Sequence, residues 1–125
     1  MNILFLDDSS ARRKAVLSIF PSAYCVETVQ ETIDLLSQEK EWDIISLDHD
    51  LGGRVFDDSF RPDCGMAVVF WMIEKGYPRV AVRRIILHSF NSTAAFDMEY
   101  LLRFCGYEAR RIPFDIGFYE GIANL

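Results

Sequence analysis

Three short clusters hold residues that could do chemistry. Asp7-Asp8 ends the apolar run "NILFL", Asp48-His49-Asp50 ends "WDIISL", and His88-Ser89 ends "RRIIL", with Asn91 close behind. Both histidines of the chain are among them. Carboxylates crowded together raise one another's pKa unless a cation joins them. Hard oxygen ligands of this kind suit Mg²⁺ or Mn²⁺, and two imidazoles admit Zn²⁺ or Fe²⁺. A histidine between carboxylates is also a proton-transfer group near neutral pH. Ser89, Asn91 and the start of a helix after them supply neutral donors for phosphate oxygens, and Arg12 is placed to clamp an anion.

The elements that must carry these residues follow from hydrophobic periodicity. Short apolar runs at 2–6, 23–28, 42–47 and 83–89, with a weaker one at 107–112, predict strands. Between them, Val16, Ile19 and Phe20 line one helical face after a Ser9 or Ser10 cap. Val29, Ile33 and Leu36 line a second, and 65–76 is a mostly apolar third that Gly76 and Pro78 should stop. Ala94, Met98, Leu101, Leu102 and Cys105 share one face of a fourth helix capped by Asn91 or Ser92. This βα alternation predicts an α/β fold, a doubly wound five-stranded parallel sheet of order 2-1-3-4-5, with the last helix short or missing. Right-handed crossovers put all strand C-termini on one edge, where such sheets bind ligands.

Each cluster also has an ordinary structural explanation. Asp7-Asp8 suits a turn and a helix cap, Asp48 and Asp50 suit a turn before Gly52-Gly53, His88 suits a satisfied core position, and Asn91 suits an N-cap. Their coincidence on one predicted edge favours a site. Cys64 lies nearby without an apparent basic partner and is expected to be a structural thiol. The stretch "RVFDDSFRPD" (54–63) is long for an α/β connection and suits a lid.

The bulk numbers narrow the classes. With 125 residues the chain is long enough for one domain, residues 1–125, with a real core. A net charge of −6 and a pI near 4.8 argue against an extended nucleic-acid face. Three cysteines without metal spacing are expected to be reduced thiols of a cytoplasmic protein. No signal peptide or membrane span is predicted.

The acid pair after strand one, Asp48 after strand three and Ser89 after strand four resemble the receiver domains of response regulators. There Asp7-Asp8 would match the metal-binding pair and Asp48 the phosphoacceptor. The chain departs from that pattern after strand five, where "ARRIPF" lacks the usual lysine, and in His49, Asp50 and His88. With those residues, "LFLDD", Arg12, "SLDHDLG", "HSFN", Gly65 and Met98 resemble the cyclic-phosphate processing receiver domains. That resemblance implies a receiver-like enzyme acting on cyclic phosphates, of NAD- or nucleotide-derived kind (the ADP-ribose cyclic phosphate type).

The expected mechanism is a metal-dependent phosphoesterase. Asp7, Asp8 and Asp48 bind the cation, His49 and Asp50 orient or deprotonate water, and His88 protonates the leaving oxygen. Arg12, Ser89 and Asn91 hold phosphate. The expected partner is a small phosphorylated metabolite or nucleotide, with a homodimer also considered. Two alternatives stand beside it: a signalling receiver phosphorylated on Asp48, and a non-catalytic module that sequesters a nucleotide.

Overall fold

Ten elements alternate along the chain: β1 (Ile3–Leu6), α1 (Ser10–Ile19), β2 (Tyr24–Val26), α2 (Val29–Leu36), β3 (Trp42–Leu47), α3 (Gly65–Ile73), β4 (Val82–Leu87), α4 (Ser92–Phe104), β5 (Ala109–Arg111) and α5 (Ile116–Ala123). The computed structural model describes residues 1–53, 58–74 and 79–125. The first four residues of the expected lid, 54–57, and the helix stop at Gly76 and Pro78 lie outside the described residues. All five strands are parallel, in the order β2-β1-β3-β4-β5. No described helix is long and apolar enough to cross a membrane.

Side chains of a strand alternate between the two faces of its sheet, and here that alternation sorts the core into two layers. Leu4, Leu6, Ile45, Leu47, Ile85 and Leu87 point to the side of α2, α3 and α4, where they pack with Met66, Val69, Met98 and Leu102. Ile3, Ile44 and Ile86 point to the other side with Ile122 of α5, and Phe5 meets Val16 of α1 and Tyr119 of α5. The central strands are buried on both faces, which is why they read as continuous apolar runs.

The helix starts follow their capping residues. Ser9, Thr28 and Asn91 each accept a backbone N–H of the first turn through a side-chain oxygen. The last helix is present: eight residues capped by Asp115, whose carboxylate accepts the Gly117 N–H at 3.1 Å. Gly117 and Gly121 lower its intrinsic propensity, and packing of Tyr119 and Ile122 against the sheet supplies what propensity lacks.

Candidate metal and phosphate site

Strand register builds the first half of the site. Leu6, Leu47 and Leu87 are lateral partners in neighbouring strands, so the residues that follow them, Asp7, Asp48 and His88, stand side by side. The ladder continues through them: Asp7 N–H donates to Val26 O, Asp48 N–H to Leu6 O and His88 N–H to Leu47 O, each at 3.0 Å. The alternation that sends Ile3, Ile44 and Ile86 toward α1 and α5 sends these three side chains the same way. Among the described residues, their donor atoms form a cluster within 4.8 Å of one another that could hold a metal ion.

The protonation of this cluster follows from its contacts. Burial alone would raise Asp7, but bonds from His88, Arg12 and the Ser9 N–H outweigh it and hold the carboxyl below its ordinary value. Arg12 grips both oxygens, Nε donating to Oδ2 at 2.8 Å and Nη2 to Oδ1 at 3.1 Å. Asp48 goes the other way. Burial and the negative charge of Asp7 push it up to about 7, while Arg12, 3.8 Å from Oδ2, and the His49 N–H pull back less. Two adjoining carboxylates thus share too little positive charge, which is the condition a divalent cation relieves.

His88 is buried, and burial holds its pKa below the ordinary value despite Asp7. Its Nε2 lies 3.0 Å from Asp7 Oδ2 and its Nδ1 2.8 Å from Ser46 Oγ, which in turn lies 2.7 Å from Tyr119 Oη. The ring stacks on Phe5, with centroids 4.5 Å apart and planes at 7°. An ionised Asp7 only accepts, so Nε2 of the neutral ring donates. Nδ1 must then accept from Ser46, and Ser46 from Tyr119. Ser46 and Tyr119 were missed by sequence reasoning. One sits inside an apolar strand and the other 73 residues away on the helix expected to be short or missing.

His49, one residue past Asp48, points toward α3 and α4 instead. Nδ1 lies 2.8 Å from Asp50 Oδ1 and Nε2 lies 3.1 Å from Ser59 Oγ. Asn91 Nδ2 donates to the same Asp50 oxygen at 3.3 Å. Burial opposes a charge on this ring, but the Cys64 thiol and the Asp50 carboxylate offset it and raise the pKa above 6.5. Cys64, expected to lack a basic partner, therefore has one in His49. Its thiol also donates to Arg61 O at 3.1 Å. Gly65 makes this proximity geometrically feasible. Its N–H donates to His49 O at 2.8 Å, and a Cβ there would overlap the Asp48 carbonyl oxygen and come within 2.9 Å of His49 Cα.

The remaining expected residues are engaged by the protein itself. Asp8 stands beside the cluster and accepts the Gly53 N–H at 2.7 Å, in a turn where Gly53 has φ 78°. Ser89 Oγ accepts the Asn91 N–H at 3.0 Å, and Asn91 Oδ1 accepts the Ala94 N–H at 3.2 Å. Arg12, expected to clamp phosphate, clasps Asp7.

Residues 2–104 match the family described as the cyclic-phosphate processing Receiver domain. The chain belongs to that family. Its fold is similar to several solved structures. The Mn²⁺-bound form of the response regulator Rcp1 has a TM-score of 0.61 at 16% identity, covering 99% of this chain and 92% of that one. The BeF3-activated receiver domain of nitrogen regulatory protein C also has a TM-score of 0.61, at 19% identity, covering 98% and 90%. NtrX from Brucella abortus gives 0.59 at 17% identity, over 98% of this chain and 25% of its own. No curated protein matches the sequence.

Proposed function

We propose that this receiver-like domain is a metal-dependent phosphoesterase that opens a small cyclic phosphate, of the nucleotide 2′,3′-cyclic or ADP-ribose cyclic phosphate type. The observation that carries the proposal is the pairing of two unlike imidazoles at one strand edge. One is neutral and within 3.0 Å of Asp7. The other has a raised pKa, and its Nε2 lies 3.1 Å from the Ser59 hydroxyl, a loop group a substrate could displace.

Asp7, Asp48 and His88 would hold the cation, with Asp8 adjoining. His88 thereby takes a ligand role in place of the leaving-group acid expected from the sequence, because burial keeps its ring neutral beside the two carboxylates; its proton would have to move to Nδ1 for Nε2 to meet the ion. The ion, bound there, would polarise phosphate oxygens and make water more acidic. That Rcp1, which shares this fold, has a Mn²⁺-bound form supports a divalent cation here.

The acid of the mechanism is then His49. Asp50 holds Nδ1–H, which aims Nε2 at the place now taken by Ser59 Oγ. A substrate oxygen displacing that hydroxyl would receive the Nε2 proton as its bond to phosphorus breaks. Water supplies the new phosphorus–oxygen bond, and its proton restores the imidazolium. Asn91 steadies Asp50, and Arg12 can exchange one Asp7 oxygen for a phosphate oxygen once a cation shares the load on Asp7.

The test is turnover by purified, metal-stripped protein on 2′,3′-cyclic nucleotides and ADP-ribose cyclic phosphate, with Mg²⁺, Mn²⁺, Zn²⁺ or no metal added. Ring opening should need a metal and disappear in Asp48→Asn. Silence across the panel, with ligand still bound, would reject the enzyme in favour of a sequestering module. A receiver taking phosphate on Asp48 is the second reading, favoured by the fold. A lasting aspartyl phosphate after incubation with a small phosphodonor would select it.

A further inference from the structure

A groove of about 260 Å³ opens between α3 and α4, on the side of the sheet that His49 faces. Phe60, Phe70 of α3 and Tyr100 of α4 border it, and they are 87%, 42% and 61% exposed. Asp97, also exposed, adds a carboxylate. Ser59 ties this groove to the site, because the same residue lines it and has its hydroxyl 3.1 Å from His49 Nε2. Mostly apolar walls with few polar groups mark a small-molecule site. The volume lies below the roughly 300–1,000 Å³ that drug-sized ligands need, which suits one ring system and not a whole nucleotide.

The position of Ser59 specifies which ring system. In the reaction proposed above, the leaving oxygen takes the place of the Ser59 hydroxyl. In a nucleoside 2′,3′-cyclic phosphate the leaving O2′ is three bonds from the base nitrogen, so the base must lie beside that place. In ADP-ribose cyclic phosphate the leaving oxygen belongs to a ribose that bears no base, and the adenine lies beyond a diphosphate. The first substrate fills a groove that starts at Ser59, and the second leaves it empty. Aromatic side chains stack on any base. Asp97 adds discrimination, because a carboxylate accepts N–H groups and repels carbonyl oxygens. Guanine offers its two oxygens the adjacent N1–H and N2–H, whereas uracil offers one N–H flanked by two carbonyls.

We propose that the α3–α4 groove is a nucleobase subsite: Phe60, Phe70 and Tyr100 receive the base of a nucleoside 2′,3′-cyclic phosphate whose leaving oxygen meets His49, and Asp97 favours guanine. The inference rests on the phosphoesterase reading for the pose of the substrate, and it narrows that reading from two substrate types to one.

Calorimetric titration of the full chain with Mn²⁺ added is the test. The probes are the ring-opened esters guanosine 3′-phosphate, uridine 3′-phosphate and base-free ribose 3-phosphate. The guanosine ester should bind about tenfold or more tighter than the ribose ester. Phe60→Ala combined with Tyr100→Ala should remove most of that advantage while the circular dichroism stays that of wild type. Asp97→Asn should weaken the guanosine ester about tenfold and erase its lead over the uridine ester. A base that adds nothing to affinity, an advantage indifferent to the double variant, or a guanine preference untouched by Asp97→Asn would each overturn the proposal. Turnover separates it from the enzymatic reading. Ring opening of 2′,3′-cyclic nucleotides without base-dependent binding sinks the subsite alone, whereas base-dependent binding without ring opening keeps the subsite and sinks the enzyme.

Discussion

The two imidazoles of this chain are equally shielded from solvent, at 0% and 1% exposed, yet their pKa values are displaced in opposite directions. His88 stands one residue beyond β4, and its partners Asp7, Ser46, Phe5 and Tyr119 all sit in or directly beside regular elements. His49 leans on Asp50, Ser59 and Cys64, all of them between β3 and α3. Burial disfavours charge on both. At His88 it wins, and at His49 the thiol and carboxylate overcome it. Exposure alone therefore does not set protonation here. The depth of each ring below the surface and its company do, and the company separates a ring with fixed partners from one able to exchange a partner.

Replacing each ring by alanine challenges that contrast most strongly. His49→Ala should lower turnover roughly 10²–10⁴-fold and leave metal affinity close to wild type. His88→Ala should abolish tight metal binding and destabilise the fold by roughly 3 kcal/mol, since it opens a cavity against Phe5 and strips Asp7 of a donor. Turnover, metal titration and thermal melting of both variants decide the matter. Equal metal loss in the two would erase the distinction.

A smaller effect tests the charge balance around His88. Asp48 has its carboxyl raised from 3.8 to about 7, so the folded chain holds this proton more tightly than the unfolded one. Its contribution is favourable in acid, is lost as pH rises from about 4 to about 7, and stays lost above that. Asp48→Asn should therefore be more stable than metal-free wild type at pH 8 by a few kcal/mol, with the difference vanishing near pH 4. Urea midpoints across that range measure it. Added metal should reverse the order at pH 8, and a pH-independent difference would show that Asp48 carries no such strain.

The smallest effect falls on the far end of the His88 chain. Tyr119→Phe removes one buried hydrogen bond, costing about 1 kcal/mol, and should change the His88 ring-nitrogen shifts while leaving those of His49 alone. Unchanged shifts at His88 would mean that Ser46 orders the ring without help from α5.

The sheet and the polar edge were legible because the strands are continuous apolar runs that end abruptly in Asp or His. The two-sidedness of the edge was legible in principle as well. Asp7, Asp48 and His88 continue one alternation, and His49 falls on the other. Treating Asp48, His49 and Asp50 as a single cluster concealed it. Ser46 looked like an interruption of a buried strand. Tyr119 could not be linked to it, since a contact across 73 residues leaves no local pattern. Arg12 was identified, but only the fold shows that its guanidinium turns inward to Asp7. The fifth helix had its signal in Asp115, which the glycines at 117 and 121 obscured.

The file of hydrogens from Tyr119 through Ser46 and His88 to Asp7 has one further consequence. Each donor is also the acceptor of the one behind it, so no single proton in the row can turn round alone. A cation that claimed the Nε2 lone pair of His88 would oblige the ring proton to move to Nδ1. Ser46 would then point at Tyr119, and the phenol would have to find another acceptor. Helix α5 would thus feel the arrival of an ion at the opposite end of the row, through a reversal of polarity along it.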